Sequence, residues 1–461
     1  MKFCIHSTGY SLRPNRVQSY IQQGTVLLFS VISAVSLVAQ QKAAELPFNP
    51  QDGETVVFLG DSITHQCLYT QYLEDFFITR YPDRRIRFHN AGVSGDKVGD
   101  CLTRYDDDVA ALNPDYVFVL LGMNDGQYED FSKETVATYQ AGMAKLFDRI
   151  DASGAKAIAL SPTMFDHGTV NRRINDETWR FRTRSFSENY NALMAWFGAW
   201  VLEESARRGV PFVNLWGPLN EHTIVNRRTD PAFTMIDDAI HPQASGQMVM
   251  AFEILSQLGV ERSGANSIAI SKRGKKWIGR NLKDLTVNQD TTEISFSHTA
   301  GSLPWVIPAE QASEALKWGL PSDGRLGYKI TKAGHKLSGD RLKIAGLAPG
   351  NYEVEIDGNV VGKWNHITLG TKIEIQEKEQ TPQYQQALEV ALLNQQRNDQ
   401  IIRPMRGLWS KIKGTRKKEG ADVSEMIEQA KALAEKENQA LDAIYTTAKP
   451  VERKWVIRRV E

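Results

Sequence analysis

The chain has 461 residues, enough for about two or three domains, and its 41% hydrophobic and 24% charged residues are an ordinary globular composition. Lysine plus arginine and aspartate plus glutamate both number 55, so the formal net charge is zero at pH 7. This balance gives no electrostatic reason to expect nucleic acid or an anionic membrane as a partner.

The N-terminal segment, 1–44, is predicted to be a secretory signal with a short linker. Lys2, Arg13 and Arg16 precede an uncharged stretch, 25–41, that is rich in Val, Leu, Ile, Ala and Ser. This stretch is short for a membrane span, which favours cleavage over an uncleaved membrane anchor. We therefore expect a secreted or periplasmic protein with no stable membrane insertion after signal removal.

Three cysteines occur in the chain, and Cys4 lies in the predicted signal. In an oxidising compartment Cys67 and Cys101 could form a disulfide, and two buried thiols are the alternative. The sequence leaves both possibilities open.

A continuous apolar run, 55–59, ends in the tetrapeptide Gly60-Asp61-Ser62-Ile63. Such a run predicts a buried parallel strand, and the glycine allows a sharp turn into the next helix. The turn would expose the Ser62 hydroxyl and place the Ser62 backbone N–H near a helix N-terminus, where negative charge is stabilised. The alternative is an ordinary connection in which Ser62 caps the helix.

Strands and helices alternate from this run to about residue 260. Further strands are predicted near 85–89, 116–121, 156–160 and 211–215, and helices near 69–81, 135–150, 186–208 and 245–258. Five rounds of strand and helix predict an α/β domain with a doubly wound five-stranded parallel sheet, whose ligands bind at the carboxyl ends of the strands. Polar loops follow three of these strands, so we expect the site there.

The polar loops supply the parts of a serine hydrolase. Ser62 would be the nucleophile, His241 the base, and Asp238 the residue that orients the base from the same turn. The backbone N–H groups of Ser62 and Gly95 and the side-chain amide of Asn124 would hold the oxyanion. Taken singly, an Asp-x-x-His pair is more often a surface turn, and Asn124 could cap a helix.

The order of these residues resembles the SGNH, or GDSL-type, hydrolase family over about residues 52–260. The matching residues are Gly60, Asp61, Ser62, Gly95, Asn124, Asp238 and His241. The resemblance implies a flavodoxin-like SGNH hydrolase fold and the catalytic roles given above. Gly92 is a second candidate for the oxyanion glycine, but Gly95, which follows Ser94, fits the family pattern better.

The resemblance ends at about residue 260, where the alternation of strands and helices gives way to short alternating strands. The hydrolase domain is therefore predicted to span 45–262. Short alternating strands, such as 293–297 and 352–356, predict a β-rich accessory segment over 263–380. The dipeptide Asp357-Gly358 predicts a hairpin turn within this segment.

The last part of the chain, 381–461, is predicted to be a helical extension because it carries two apolar stripes at helical spacing. The basic run between the stripes, 411–418, is predicted to be a solvated connection. Each amphipathic helix must bury its stripe against something, so we expect this part to pack on the hydrolase domain or on itself. Three tryptophans of the accessory segment could stack on sugars, although core packing is the better expectation. They are Trp305, Trp318 and Trp364.

The predicted function is an exported serine esterase that removes acyl groups, with acetyl expected, from carbohydrates without a cofactor. Within the family, a lysophospholipase or a thioesterase is the alternative. From other classes, a non-catalytic glycan-binding surface protein and a metal-dependent hydrolase are the alternatives. The residues that could surround a divalent ion are Asp61, Asn124, Asp125, Asp238 and His241. No dense histidine spacing supports the metal alternative, and the intact triad argues against a binding protein.

Overall fold

The computed structural model describes residues 46–260, 266–308, 323–418 and 421–460. The predicted signal, 1–44, and Trp318 lie outside these residues. Among the helices of the described ranges, none is long and apolar enough to span a membrane. Residues Phe48–Glu461 form one compact unit, and the boundaries drawn within it from the sequence stay a prediction.

A five-stranded parallel sheet forms the centre of the first half of the chain. Its strands are β1 (Thr55–Gly60), β2 (Arg87–Gly92), β3 (Tyr116–Leu120), β4 (Lys156–Leu160) and β5 (Phe212–Val213). Their order is β2-β1-β3-β4-β5, which is the flavodoxin-like order. All six residues of β1 are buried because this strand pairs on both edges and is covered on both faces. The predicted α/β fold is confirmed.

Eight helices flank this sheet in the described residues. They are α1 (Ser62–His65), α2 (Tyr69–Arg80), α3 (Val98–Asp108), α4 (Lys133–Ala152), α5 (His167–Arg173), α6 (Tyr190–Arg208), α7 (Trp216–Arg227) and α8 (Ala244–Gln257). Helices α2, α4 and α8 agree with the predicted helices to within two residues at each end. Helix α6 begins four residues later than predicted, and its C-cap is Gly209, whose φ of 70° suits glycine.

Gly60 and Gly92 are paired across β1 and β2 and allow α1 to approach both strands. A Cβ at Gly60 would lie 2.2 Å from Oγ1 of Thr64, and one at Gly92 would lie 2.3 Å from the backbone nitrogen of His65. These glycines are therefore needed for close packing, whereas the sequence suggested that Gly60 was needed for a sharp turn.

The β-rich part consists of two sheets. The first has the order β13-β10-β6-β7 and contains β6 (Ser267–Arg273), β7 (Lys276–Gly279), β10 (Arg341–Ala345) and β13 (Ile373–Glu374). The second has the order β12-β11-β14-β9-β8 and contains β8 (Lys283–Val287), β9 (Glu293–Thr299), β11 (Asn351–Ile356), β12 (Asn359–Asn365) and β14 (Glu452–Val460). Asp357 and Gly358 have φ angles of 49° and 81°, so the predicted hairpin turn is confirmed.

Five further helices lie in the described part of the C-terminal half. They are α9 (Gly324–Thr331), α10 (His366–Thr371), α11 (Pro382–Arg397), α12 (Arg403–Arg416) and α13 (Ser424–Ala448). A single π-helical turn, Asn398–Ile402, joins α11 to α12. Thr381 caps α11, since its hydroxyl accepts a hydrogen bond from the Tyr384 N–H. Both predicted amphipathic stripes are helical.

The basic run 411–418 is not the solvated connection expected from the sequence. Most of it belongs to α12, whose charged face meets the acidic helix α3. The Lys413 ammonium lies 2.8 Å from Oδ1 of Asp96, and Arg416 pairs with Asp107. The prediction was wrong because it weighed the charges and overlooked the apolar residues at helical spacing that begin before this segment and end within it. The buried residues of α12 include Met405, Trp409 and Ile412.

Trp305 belongs to the core. Its side chain is fully buried, its indole N–H donates to the carbonyl of Tyr72 at 3.1 Å, and its ring meets Phe76 edge-on with the centroids 5.2 Å apart. Trp364 is partly buried against the core of the β-rich part. For these two tryptophans the packing interpretation of the sequence is confirmed.

Cys67 and Cys101 are free and buried in the structure. Of the two possibilities left open by the sequence, the structure contains the buried thiols. Burial raises the pKa of the Cys67 thiol to about 12, so this thiol is protonated and a poor nucleophile at neutral pH.

Candidate active site

Ser62 is the first residue of α1 and is separated from the end of β1 by one residue, Asp61. The N-cap of α1 is Asp61, whose Oδ1 accepts a hydrogen bond from the Ile63 N–H at 2.9 Å. The cap alternative for Ser62 is therefore wrong. Because the cap position is filled by its neighbour, the Ser62 hydroxyl is free to make other contacts at the positive end of the helix.

The Ser62 hydroxyl forms a chain of hydrogen bonds with His241 and Asp238. Its Oγ lies 2.9 Å from Nε2 of His241, and Nδ1 of His241 lies 2.7 Å from Oδ2 of Asp238. Since a carboxylate only accepts, we assign the imidazole proton to Nδ1, which leaves Nε2 to accept from the serine hydroxyl. This arrangement is suited to activating a serine nucleophile.

The turn 238–241 holds the acid and the base in place. Oδ1 of Asp238 accepts from the backbone N–H groups of Ile240 and His241 at 3.0 and 2.8 Å. Ala239 has a φ of 76°, a conformation that costs a non-glycine residue about 1–3 kcal/mol and persists only where its surroundings enforce it. The backbone is therefore strained at the point where the two side chains are brought together.

The pKa of Asp238 lies below its ordinary value. Burial alone would raise this pKa, but the electrostatic interaction with His241 and the hydrogen bonds from His241 and Ile240 outweigh burial. The carboxylate therefore stays ionised at neutral pH and can orient the imidazole and stabilise its protonated form.

The side-chain amide of Asn124 connects the loops that carry Ser62 and Gly95. Its Nδ2 donates to the carbonyl of Asp96 at 3.1 Å and lies 3.3 Å from Oδ2 of Asp61. Asp61 precedes Ser62 and Asp96 follows Gly95, so the amide links the two segments that carry the other expected oxyanion donors. The Tyr128 hydroxyl donates to Oδ1 of Asn124 at 3.1 Å, which fixes the orientation of the amide.

Gly95 faces open space, and Gly92 does not. No atom lies within 4 Å of the position that a Cβ of Gly95 would take, and its φ is +71°. The N–H of Gly92 is already used, because it donates to Oδ1 of Asn90 at 2.9 Å. The geometry therefore favours Gly95 over Gly92 as the oxyanion glycine, as the sequence did.

Asp61 and Asp125 hold loops of the site. Burial raises the pKa of Asp61 to about 7 and that of Asp125 to about 6. Oδ1 of Asp125 accepts from the Val98 N–H at the start of α3. In the four described ranges, no group of three or more His, Cys, Asp or Glu side chains is arranged to hold a metal ion.

Arg180 is a residue of the site that the sequence analysis missed. Its Nη2 donates to Oδ2 of Asp238 at 3.2 Å and lies 3.3 Å from Nδ1 of His241. The guanidinium stacks 4.2 Å from the ring centroid of Phe181, in the segment that joins α5 to α6. The cluster of arginine and aromatic residues at 179–186 was the available signal, but no spacing links it to Asp238.

Replacing Asn124 by Ala is expected to lower kcat by about 10²–10³-fold, because one oxyanion donor would be lost. Loss of a helix cap would instead cost about 1 kcal/mol of stability and leave kcat nearly unchanged. Steady-state kinetics and thermal melts distinguish the two. The matched control is Tyr128→Phe, which removes the hydroxyl that orients the amide but keeps the donor, so we expect a smaller loss of kcat. An Asn124→Ala variant with a lower melting temperature and full kcat would contradict the oxyanion role.

The chain is similar in sequence to known proteins. Residues 58–249 match the model of the GDSL-like lipase/acylhydrolase family. An acetylxylan esterase of Geobacillus stearothermophilus is 28% identical over an alignment of 233 positions, which covers 45% of this chain and 95% of that protein. The similarity therefore covers nearly all of the relative and less than half of this chain.

A solved structure extends the similarity of fold to the C-terminal half. The structure of a gut microbial diltiazem-metabolizing enzyme aligns with a TM-score of 0.73 and 24% sequence identity. The alignment covers 91% of this chain and 100% of that one. The two chains therefore share a fold that includes the β-rich and helical parts.

Proposed function

The chain belongs to the GDSL-like lipase/acylhydrolase (SGNH) family and is a carboxylic ester hydrolase, and we propose that it is an exported serine esterase that removes acetyl groups from carbohydrates. The observation that carries the reaction is the 2.9 Å contact between Oγ of Ser62 and Nε2 of His241. It joins a hydroxyl at a helix N-terminus to a base whose other nitrogen is held by a carboxylate.

In the proposed first step, Oγ of Ser62 attacks the ester carbonyl carbon while Nε2 of His241 takes the hydroxyl proton. The carbonyl oxygen becomes an oxyanion and accepts hydrogen bonds from the backbone N–H groups of Ser62 and Gly95 and from the Asn124 amide. When the tetrahedral intermediate collapses, the bond to the sugar oxygen breaks and His241 returns the proton to that oxygen. The products are the free sugar hydroxyl and acetyl-Ser62.

In the second step, water attacks acetyl-Ser62 while His241 takes one proton from it. Collapse of the second intermediate releases acetic acid, which loses its proton to water and becomes acetate, and the proton held by His241 returns to Oγ of Ser62. No electron is gained or lost, and the reaction needs no cofactor. Asp238 remains ionised throughout and stabilises the imidazolium that forms in each step.

Two observations support the choice of substrate and location. The curated relative is an acetylxylan esterase, and the similarity covers 95% of its length. The N-terminal segment has the charge and apolar pattern of a secretory signal. An exported enzyme meets polysaccharides outside the cytoplasm, so the proposed location is secreted or periplasmic and the proposed substrate is an acetylated glycan.

The proposal is tested with a panel of esters at equal concentrations. We expect the highest kcat/KM on acetylated xylo-oligosaccharides, turnover of p-nitrophenyl acetate, and little turnover of p-nitrophenyl palmitate, lysophosphatidylcholine or acetyl-CoA. Activity in EDTA should equal activity in buffer. Preference for the long-chain ester or the lysolipid would indicate a lysophospholipase, preference for acetyl-CoA a thioesterase, and loss of activity in EDTA a metal-dependent enzyme.

A further inference from the structure

We infer that α12, from the C-terminal half of the chain, holds the oxyanion loop in its active position, and that Lys413 is the positioning residue that does so. The oxyanion loop is defined here as residues 93–97. The inference rests on the proposed function because it assigns a catalytic consequence to this contact.

The inner side of the oxyanion loop packs against α12. Val93 is fully buried, and it belongs to an apolar cluster whose other buried members are Met405, Trp409, Ile412 and Ala430. Three of these four residues lie on α12. The apolar packing against the oxyanion loop therefore comes mainly from α12, a helix more than 300 residues away in sequence.

Lys413 adds a charged contact to this packing. Its ammonium lies 2.8 Å from Oδ1 of the fully buried Asp96, and the other carboxylate oxygen accepts from Nε of Arg104 at 2.8 Å. Burial alone would lower the pKa of Lys413, but Asp96 and Asp100 outweigh it and raise that pKa. The ammonium is therefore charged at neutral pH. Asp96 is held by Arg104 of its own domain on one side and by α12 on the other.

Asp96 transmits this contact to the oxyanion donors. Its backbone carbonyl accepts from Nδ2 of Asn124 at 3.1 Å, and its peptide follows Gly95 directly. A shift of Asp96 would therefore move two of the three proposed donors. Hydrogen-bond donors stabilise an oxyanion only within a narrow range of distance. Displacing them would therefore weaken transition-state stabilisation and lower kcat.

The same helix also contacts the loop that follows the nucleophile. Nη2 of Arg403, at the start of α12, donates to the carbonyl of Gln66 at 2.7 Å. Between the two ends, Arg406 is anchored to Asp108 of α3 by hydrogen bonds of 2.8 and 2.9 Å. One helix thus contacts both the oxyanion loop and the loop that follows α1, the short helix that begins at Ser62.

The test replaces Lys413 by Met in the full chain, which removes the charge and keeps the length of the side chain. We expect kcat for p-nitrophenyl acetate to fall by about 10–100-fold with KM unchanged, and Lys413→Arg to recover part of the loss. The matched control is Lys417→Met, one turn further along. Its ammonium is 3.9 Å from Asp100 and its side chain is 68% exposed, so wild-type kcat is expected.

Amide hydrogen exchange provides a readout that is independent of activity. Exchange over residues 93–97 should become faster in Lys413→Met, while exchange in β1 and β3 and the melting temperature stay near the control. A lower kcat with unchanged exchange at 93–97, or wild-type values of both, would overturn the inference. If Lys413→Met does not fold, Lys413→Gln is measured in the same way.

This design separates the inference from the proposed function. If the wild-type chain hydrolyses none of the esters, the proposed function fails, and faster exchange at 93–97 still demonstrates the contact of α12 with the loop. If the wild-type chain is active and Lys413→Met is equally active, the proposed function stands and the positioning role of Lys413 is refuted.

Discussion

Replacing Ser62 by Ala is expected to lower kcat by about 10⁴-fold or more while KM and the melting temperature stay close to the wild-type values. The hydroxyl is the only group lost, and with it goes the atom that would form the acyl-enzyme. The loss is large because nucleophile, base and acid act as a unit, so removing one of them removes the function of all three.

Turnover of p-nitrophenyl acetate, with the acyl-enzyme followed by rapid-quench mass spectrometry, checks this expectation. The matched control is Ser205→Ala, because Ser205 is also buried and its hydroxyl has no hydrogen-bond partner among the described residues. We expect acetylated protein from the wild type and the control and none from Ser62→Ala. A folded Ser62→Ala variant with near wild-type kcat would falsify the nucleophile assignment.

A chain that ends at Gly259 is expected to be insoluble or to lack a cooperative thermal transition. All twelve residues of α2 are buried, so this helix has no solvent-exposed face. Ile78 packs with residues of α11 and α13, and Trp305 covers Phe76. Removal of residues 260–461 would expose these apolar surfaces together.

Buried ion pairs strengthen this expectation. Arg397 lies between Glu74 of α2 and Glu437 of α13, and Arg406 pairs with Asp108 of α3. These side chains are at most 4% exposed. Breaking one such pair typically costs about 3–5 kcal/mol, and a whole domain is stable by only about 5–15 kcal/mol. The acidic residues left behind would lie on an apolar surface without the arginines.

Size-exclusion chromatography and thermal melts of two truncated chains test this prediction. The matched control is the chain 45–461, which loses only the predicted signal and should melt as a folded protein. The chain 45–259 should aggregate or melt without a sharp transition. If it were soluble, melted like the control and hydrolysed small esters and acetylated xylan equally well, the C-terminal half would have neither a stabilising nor a substrate-directing role.

The features that the sequence predicted well are those with a local pattern. The apolar run 55–59 and the alternation that follows it identified the parallel sheet, and short spacings linked Asp238 to His241. The family resemblance then connected these residues to Ser62, Gly95 and Asn124. The structure brings the triad residues into hydrogen-bond contact, and their catalytic roles stay a prediction until variants are measured.

The features that the sequence analysis missed depend on contacts between distant segments. Asp96 and Lys413 are 317 residues apart, and Arg180 and Asp238 are 58 apart. In both pairs, the sequence around one residue does not identify the other residue as its partner. The basic run at 411–418 shows the same limit. Its charges suggested exposure to solvent, whereas two of them pair with Asp96, just before α3, and with Asp107 of α3. A local sequence pattern predicts helices and strands, whereas tertiary packing determines which charged residues form ion pairs.

The position of β14 in the second C-terminal sheet has a consequence for the order of folding. This strand lies between β11 and β9, so the strand pairing of the sheet connects the hairpins β8–β9 and β11–β12 through it. Glu293 and Arg458, which pair across this sheet, are 165 residues apart. During synthesis the two hairpins must wait until residues 452–460 have left the ribosome, and closure over such a separation is slow. Assembly of this sheet is therefore expected to be the slow step of folding, and a stalled or truncated nascent chain would expose the unpaired edges of both hairpins.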